Sequence, residues 1–466
     1  MLATRREFMG GAAATAASFV SGCSFFMGNG GVQWYKGMLH AHTCWSDGRA
    51  LPEQAVKAYK DAGYSFFAIT DHNRIGADPD RWMPVGALSR GWPPKTIEQS
   101  VFDAFRAAFP NARWRVRNGA LEVRVTPISE LHGMFNEDGR FLLMTGCEVT
   151  TRLVGPDGGR RQIHMNYVGL DGLLPRSLKA SLIENVSGGS ISRILRETKD
   201  QVDALAVRSE VPHIFFVNHP QWEYYDVAAQ DLIDNPDVRF FEVCNCGSYP
   251  KDPSMPNDSY YCERLWDVVN AVRCVRGQRL LYGIGSDDTH WYPGSGTSHA
   301  PIYFGDAWIC VRADSLSAAS IFAAMDAGDF YASSGVGFED VTFDPSNGTL
   351  TVAVAPKSGV SHVVEFVTTV RGAGTDVERT VTCPAKGERP ARTVSIYSKE
   401  VGRTVKSVSF AAGERAFASY TMSRDDLYVR ARVVSSEPAV YLKNDVEHPK
   451  VRMGWTQPFG NSNLPI

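Results

Sequence analysis

Lys36-Gly37-Met38-Leu39-His40-Ala41-His42-Thr43-Cys44-Trp45-Ser46-Asp47-Gly48 is the stretch on which the fold turns. An apolar run over 37–42 ends on two histidines, a helical pattern covers 51–62, and a second apolar run covers 65–70. A buried strand can carry polar groups at its end without burying them unpaired, so the pattern predicts a strand whose tip bears chemistry. Residues i and i+2 of a strand share a face, which lets His40 and His42 reach one ion.

The same unit recurs along the next 250 or so residues. Strands are predicted over 141–149, 163–169, 213–218, 240–244 and 280–285, and helices over 97–108, 190–207, 260–275 and 315–327, the last capped by Gly328. Alternating β and α units predict a parallel sheet, and about seven strands suit closure into a barrel. The stretch 74–140, with Trp82, Trp92 and Trp114, is too long for a connection and is expected to be an insertion that covers a site. Beyond 338 the texture changes to short β-branched or alternating runs (350–355, 362–370, 393–397, 407–410, 427–434, 439–442) between Gly, Pro and Asp clusters. They predict a small all-β, sandwich-like domain over 339–466.

Histidines and acids gather at predicted strand ends. Asp71-His72-Asn73 follows the second strand, Glu148 ends the third, and His164 opens the fourth. Asn218-His219-Pro220 follows the fifth and Asp287-Asp288-Thr289-His290 the seventh, where an extended turn would let Asp288 and His290 share an ion. The C-terminal ends of parallel strands meet at one mouth. Any one of these histidines alone reads as a satisfied core residue; together they form an N/O donor set suited to Zn, Mn or Fe.

His40-x-His42 with Ser46-Asp47-Gly48, Ala68-Ile69-Thr70-Asp71-His72-Asn73, Gly146-Cys147-Glu148, His164, Asn218-His219-Pro220 and Ser286-Asp287-Asp288-Thr289-His290 resemble the PHP (polymerase and histidinol phosphatase) family over roughly residues 36–334. The resemblance implies a distorted (βα)7 barrel, here 36–338, and two or three divalent metal ions. It implies a first metal on His40, His42, Glu148 and Asp288, a second on Glu148, His164 and His219, and a third on Asp47, His72 and His290. Asp47 stands where some members have histidine, and Asp287 remains an alternative to Asp288. Asp71 is expected to orient a ligand. Glu148, Asp288 and His290 are the expected catalytic groups, and the activity implied is metal-dependent hydrolysis of a small phosphate mono- or diester. An amide or lactone hydrolase on the same metals, and a non-catalytic metal- or ligand-binding surface lipoprotein, are the alternatives.

Arg74, Arg160 and Arg161 are candidate phosphate contacts, and Trp222, Tyr224 and Tyr225 candidate pocket walls. Cys44 lacks a Cys/His partner arrangement and is read as a loop thiol. Nine cysteines form no paired CxxC units, which argues against a thiolate metal site.

Thr4-Arg5-Arg6-Glu7-Phe8-Met9 resembles a twin-arginine export signal, and Val20-Ser21-Gly22-Cys23 a bacterial lipobox. Residues 1–23 are therefore expected to be a signal and 24–35 a linker, with the mature protein tethered through lipid on Cys23 to the periplasmic side of a bacterial membrane. The composition, 44% hydrophobic and 21% charged in 466 residues, is globular. A net charge of −3 disfavours nucleic acid as partner.

Overall fold

A computed structural model describes residues 32–87, 95–154, 160–169, 184–187, 189–220, 227–247, 262–297, 304–385, 391–439 and 451–461. The first part of the chain runs β1 (Gln33–Met38), α1 (Pro52–Asp61), β2 (Phe66–Ile69), β3 (Trp82–Gly86), β4 (Ile97–Glu98), α2 (Gln99–Ala108), β5 (Trp114–Arg117), β6 (Ala120–Arg124), α3 (Ile128–Phe135), β7 (Leu142–Val154) and β8 (Arg160–Val168). It continues through β9 (Glu184–Ser187), α4 (Ile191–Ser209), β10 (Ile214–Val217), α5 (Ala229–Ile233), β11 (Phe240–Asn245), α6 (Cys262–Val275), β12 (Tyr282–Ser286), β13 (Trp308–Ala313), α7 (Ala318–Ala327) and β14 (Phe330–Ser333). Ten further strands follow: β15 (Phe338–Asp344), β16 (Thr349–Val354), β17 (His362–Val370), β18 (Arg379–Cys383), β19 (Arg392–Ile396), β20 (Arg403–Phe410), β21 (Ala416–Thr421), β22 (Asp426–Pro438), β23 (Val451–Thr456) and β24 (Phe459–Gly460).

The architecture is mixed α/β, and the sheet is not all parallel as the alternation predicts. Its central order is β12-β11-β10-β8-β7-β2-β1-β13-β14. The pairs β1/β2, β2/β7, β10/β11 and β11/β12 are parallel. Strand β8 runs against both β7 and β10. The physical reason is the connection: β7 and β8 are joined by only residues 155–159, too few for a crossover, so they can pair only as a hairpin.

One face of each strand feeds a single core, in which Tyr35, Leu39, Phe66, Ala68, Met144, Val168, Phe216, Phe240, Ile284 and Ile309 meet. The sheet wraps this core until β12 packs against β13 and β14. There Gly285 leaves no room for a side chain: a Cβ would lie 2.6 Å from the Trp308 carbonyl oxygen. The opposite face of the strands packs under the helices, with Phe67 against Tyr59 of α1 and Phe241 against Trp266 of α6. Gly328 caps α7 with φ 83°, the left-handed conformation that glycine adopts at no steric cost.

Two regions depart from a simple layout. The insertion holds a four-stranded sheet, β4-β3-β6-β5, besides its helices. Beyond residue 338 the chain is β-rich, but its main ladder is continuous with the first part, because β14 pairs with β23, Tyr331 opposite Thr456. The remaining strands form β15-β16-β21 and β18-β19 beside β22-β17-β20. The expected strand at 439–442 lies largely outside the described residues, as do Trp92 and the signal segment.

Candidate metal centre

Each chemical group reaches the site for a local reason. Beyond β1 the chain stays extended enough for Ala41 to bridge Thr289, which sets His40 and His42 on one side. His72 bridges Glu148 in the same way at the end of β2. Glu148 and His164 both lie mid-strand rather than at strand ends, because β7 and β8 run on past the main sheet as a ribbon, with β9 paired to the end of β7. Thr150 stands opposite His164 there, and Glu148 opposite Asn166. At the last loop the expected extended turn is absent: Asp288 has φ 50°. That left-handed residue separates Asp288 and His290 into different groups.

Four overlapping sets of ligand atoms result: His40, His219 and Asp288; His40, His42 and Glu148; His72, Glu148 and His164; and His42, Asp47, His72 and His290. All nine residues expected from the sequence are present. His40 Nε2 lies 3.2 Å from His42 Nε2, 3.2 Å from Asp288 Oδ1 and 3.5 Å from Glu148 Oε2. His42 Nε2 is 3.0 Å from Asp288 Oδ1 and 3.2 Å from Glu148 Oε2. Glu148 Oε2 also lies 2.9 Å from His72 Nδ1, and Oε1 3.0 Å from His164 Nδ1 and 3.5 Å from His219 Nε2. Asp47 Oδ2 is 2.9 Å from His290 Nε2 and 3.8 Å from His72 Nε2, and Asp47 Oδ1 3.4 Å from His42 Nδ1.

Buried hydrogen bonds hold these groups. Glu242, an acid inside the apolar run of β11, is fully buried and takes bonds from His40 Nδ1–H (2.7 Å), the His219 amide (2.7 Å), Asn245 Nδ2 (2.7 Å) and the Ser286 hydroxyl. A carboxylate only accepts, so His40 carries its hydrogen on Nδ1 and turns the Nε2 lone pair into the cluster. Asn218 donates to Glu148 Oε1 (2.7 Å) and to Asn166 Oδ1 (2.9 Å). The Thr43 amide and hydroxyl and the Ser46 amide donate to Asp71, fixing the loop between His42 and Asp47. Sequence reasoning missed Glu242; the signal was a lone acid in Phe240-Phe241-Glu242-Val243.

The electrostatics fit a cation. Burial opposes a proton on His40 or His42, yet the surrounding carboxylates, Asp288 first for His40 and Asp47 first for His42, hold both imidazoles well above their ordinary range. Burial would raise Asp47 and Glu148, and the neighbouring imidazoles hold both well below. Burial lowers His164 to about 4, so its ring is neutral. His42 Nδ1, Glu148 Oε2 and Asp288 Oδ1 are buried without a hydrogen bond. So many acceptors facing one another need positive charge between them, and a divalent ion supplies it while leaving the imidazoles neutral.

Other expected residues fall elsewhere. Asp287 takes bonds from Tyr59 (2.6 Å) and the Gly305 amide (2.6 Å) and belongs to none of the four sets. His132, the other histidine near Glu148 in the sequence, faces Thr145 at 3.4 Å and belongs to none of the sets. Arg74 is exposed, and Arg161 stands opposite Leu153 toward the far end of the ribbon, so neither is in the cluster. The Cys44 thiol is buried and pushed up by that burial, a protonated loop thiol and not a nucleophile. Trp222, Tyr224 and Tyr225 lie outside the described residues.

No protein-family model and no curated protein matches the sequence. Among solved structures, the chain is similar to a two-domain protein of Bacteroides vulgatus described as containing a predicted PHP-like metal-dependent phosphoesterase, with 15% identity, coverage of 83% of this chain and 98% of the other, and a TM-score of 0.38. It is also similar to a protein of Bifidobacterium adolescentis whose description as a metal-dependent phosphoesterase is itself a prediction, with 15% identity, coverage of 57% and 90%, and a TM-score of 0.27. At those scores the likeness carries no argument about chemistry, and the site must be read from its own geometry.

Proposed function

We propose that this protein is a metal-dependent phosphoesterase that hydrolyses a small phosphate mono- or diester. The observation that carries the reading is the buried convergence of His40, His42, Asp47, His72, Glu148, His164, His219, Asp288 and His290 into overlapping ligand sets, with Glu148 shared between two of them. The sequence resemblance supports the same reading, as does a sheet wrapped around one core, which we take as the distorted barrel. When bound, divalent ions in such a site make water a nucleophile near neutral pH and neutralise phosphoryl charge. The chain's own residues do the rest. Glu148, braced by Asn218, keeps its two oxygens directed at different histidines. Glu242 fixes the tautomer of His40, and Asp288 closes the set beneath. His290, the most exposed of the nine with a side chain 22% accessible, faces Asp47 at the rim, where the two would help hold an ion that stabilises the departing oxygen.

The test is elemental analysis of the purified chain with assays on aryl phosphate mono- and diesters, supplied with Mn or Zn. Two or three ions per chain, with hydrolysis lost in His40→Ala and Glu148→Ala, is the expected result. Full metal occupancy without hydrolysis of any phosphate ester overturns the reading and favours a carbonyl substrate or a binding role. We propose in addition that the protein is exported and lipidated, on the support of residues 4–9 and 20–23 alone; radiolabelled lipid that is not lost on Cys23→Ala removes that proposal.

A further inference from the structure

We propose that Arg152 is a specificity-determining residue, which binds a second anionic group, a phosphate or a carboxylate, on the part of the substrate away from the cleaved bond. The inference rests on the phosphoesterase reading and deepens it by naming the substrate class.

The site opens on one side. His72 and His290 are its most accessible ligands, with side chains 13% and 22% accessible, against 1% or less for His40, His42 and Glu148. A substrate therefore comes in past His72. The Thr150 hydroxyl lies 2.6 Å from His72 Nδ1, and the Asn73 side chain clasps the Thr150 backbone, accepting from its amide (3.1 Å) and donating to its carbonyl (3.4 Å). The ribbon is thus held at a set height against the loop that carries His72.

Strand alternation decides what comes next. In β7, Val149, Thr151 and Leu153 are buried, and Val149 and Leu153 share a core with Ile194 and Leu195 of α4. Glu148, Thr150 and Arg152 take the other face, the last two partly exposed. Residues directly opposite across a ladder share a face, so His164 joins Thr150 there and Gln162 joins Arg152. Arg152 is therefore the first residue beyond the ligands on the metal-bearing face, about 7 Å along the strand from Thr150. Arg161, one place out of phase with Gln162, stands opposite Leu153 and belongs to the other face. Arg152 has neither an ion pair nor a hydrogen bond among the described residues.

Charge decides what that arginine is for. The ligand set contains three carboxylates, Asp47, Glu148 and Asp288. Two or three divalent ions would leave it with a surplus of roughly one to three positive charges, which one phosphoryl group takes up. A second anion further out along the ribbon needs a cation of its own. An uncommitted guanidinium offers two parallel N–H donors to carboxylate or phosphate oxygens, and the neutral Thr150 and Gln162 beside it bring no competing charge.

The experiment titrates the full chain, loaded with Mn or Zn, in a calorimeter with three non-hydrolysable ligands on one chain length: butylphosphonate, 5-phosphonopentanoate and butane-1,4-diphosphonate. Binding of the second or third tighter than the first by roughly 10- to 100-fold, the worth of a hydrogen bond to a charged group, is expected, and which of the two gains more tells carboxylate from phosphate. Arg152→Met should abolish that difference with metal content unchanged, and Arg152→Lys should keep part of it. Arg161→Met, on the opposite face, should keep all of it. The same comparison in kcat/KM uses butyl phosphate and 1,4-butanediol bisphosphate. If neither ester is hydrolysed while the binding difference is present and depends on Arg152, the phosphoesterase reading falls and the anion subsite stands. Equal affinity for the three ligands in the unaltered protein, a difference that survives in Arg152→Met, or an equal loss for all three in that variant overturns the proposal.

Discussion

The metal centre and the junction between α6 and β22 are both buried and both charged, and they are built on opposite rules. At the junction every carboxylate meets a guanidinium. Arg430, 1% exposed, binds Asp267 through Nε (2.9 Å) and Nη2 (2.7 Å), and Nη2 also reaches Glu263 (3.0 Å). Arg432 links Glu263 to Glu365, and Tyr428 donates to Asp267. Guanidinium donors meet every carboxylate here, with Arg430 Nη1 alone left buried without a partner, and the cluster's work is to clamp the β-rich region to the first part of the chain. At the metal centre acceptors face acceptors, and only protons or cations can complete it. A buried polar cluster that is self-sufficient reads as structure; one that is short of positive charge reads as a place for a ligand.

Substitutions at the two clusters should therefore fail differently. The largest effect on activity is expected from Glu148→Ala, which should cut hydrolysis by roughly 10²- to 10³-fold or more and lower the ion count per chain, while secondary structure by circular dichroism stays intact. Asp267→Ala should do the reverse. It leaves Arg430 buried with half its partners, at a cost of about 3–5 kcal/mol in urea unfolding, and metal bound per folded chain should not change. If Asp267→Ala strips the metal, the two clusters are coupled and the contrast fails.

Glu242→Gln sharpens the contrast further, since it touches the site only through His40, the His219 amide, Asn245 and Ser286. Metal affinity in a chelator competition should fall about 10- to 100-fold with unfolding little altered. The smallest effect is that of pH. The carboxylates hold His40, His42 and His72 above the ordinary histidine value of 6.5, so protons stay bound to the metal-free site as pH rises past that value. Each must leave for a metal to enter, so affinity should climb with pH from below 6.5 to above it, and acid should release the metal. An affinity flat across that range would mean the imidazoles are not ligands.

How much of this was legible depended on what surrounds each residue in the chain. His40, His42, His72 and His219 stand out because they break an apolar run where a strand stops, and polar groups there have an evident destination. Glu148 and His164 were named for the right neighbourhood, but their place on a projecting ribbon was hidden, since nothing in 141–149 or 163–169 tells a strand that ends from one that continues. Glu242 was passed over for a different reason. A single acid in a buried strand declares itself only once His40, His219, Asn245 and Ser286, from both near and far in the chain, are seen to converge on it.

By itself, then, the sequence determined which side chains gather, because hydrophobic periodicity sets strand tips and strand tips bring their polar residues to one mouth. It determined too that the chain past residue 338 is β-rich, through alternation and turn chemistry. The tertiary structure alone decided strand direction between β7 and β8, the continuity of the ladder from β14 to β23, and the left-handed turn at Asp288 that precedes His290. Those depend on loop length, on pairing between residues more than a hundred positions apart, and on one backbone dihedral, and none of the three leaves a periodic trace in the chain.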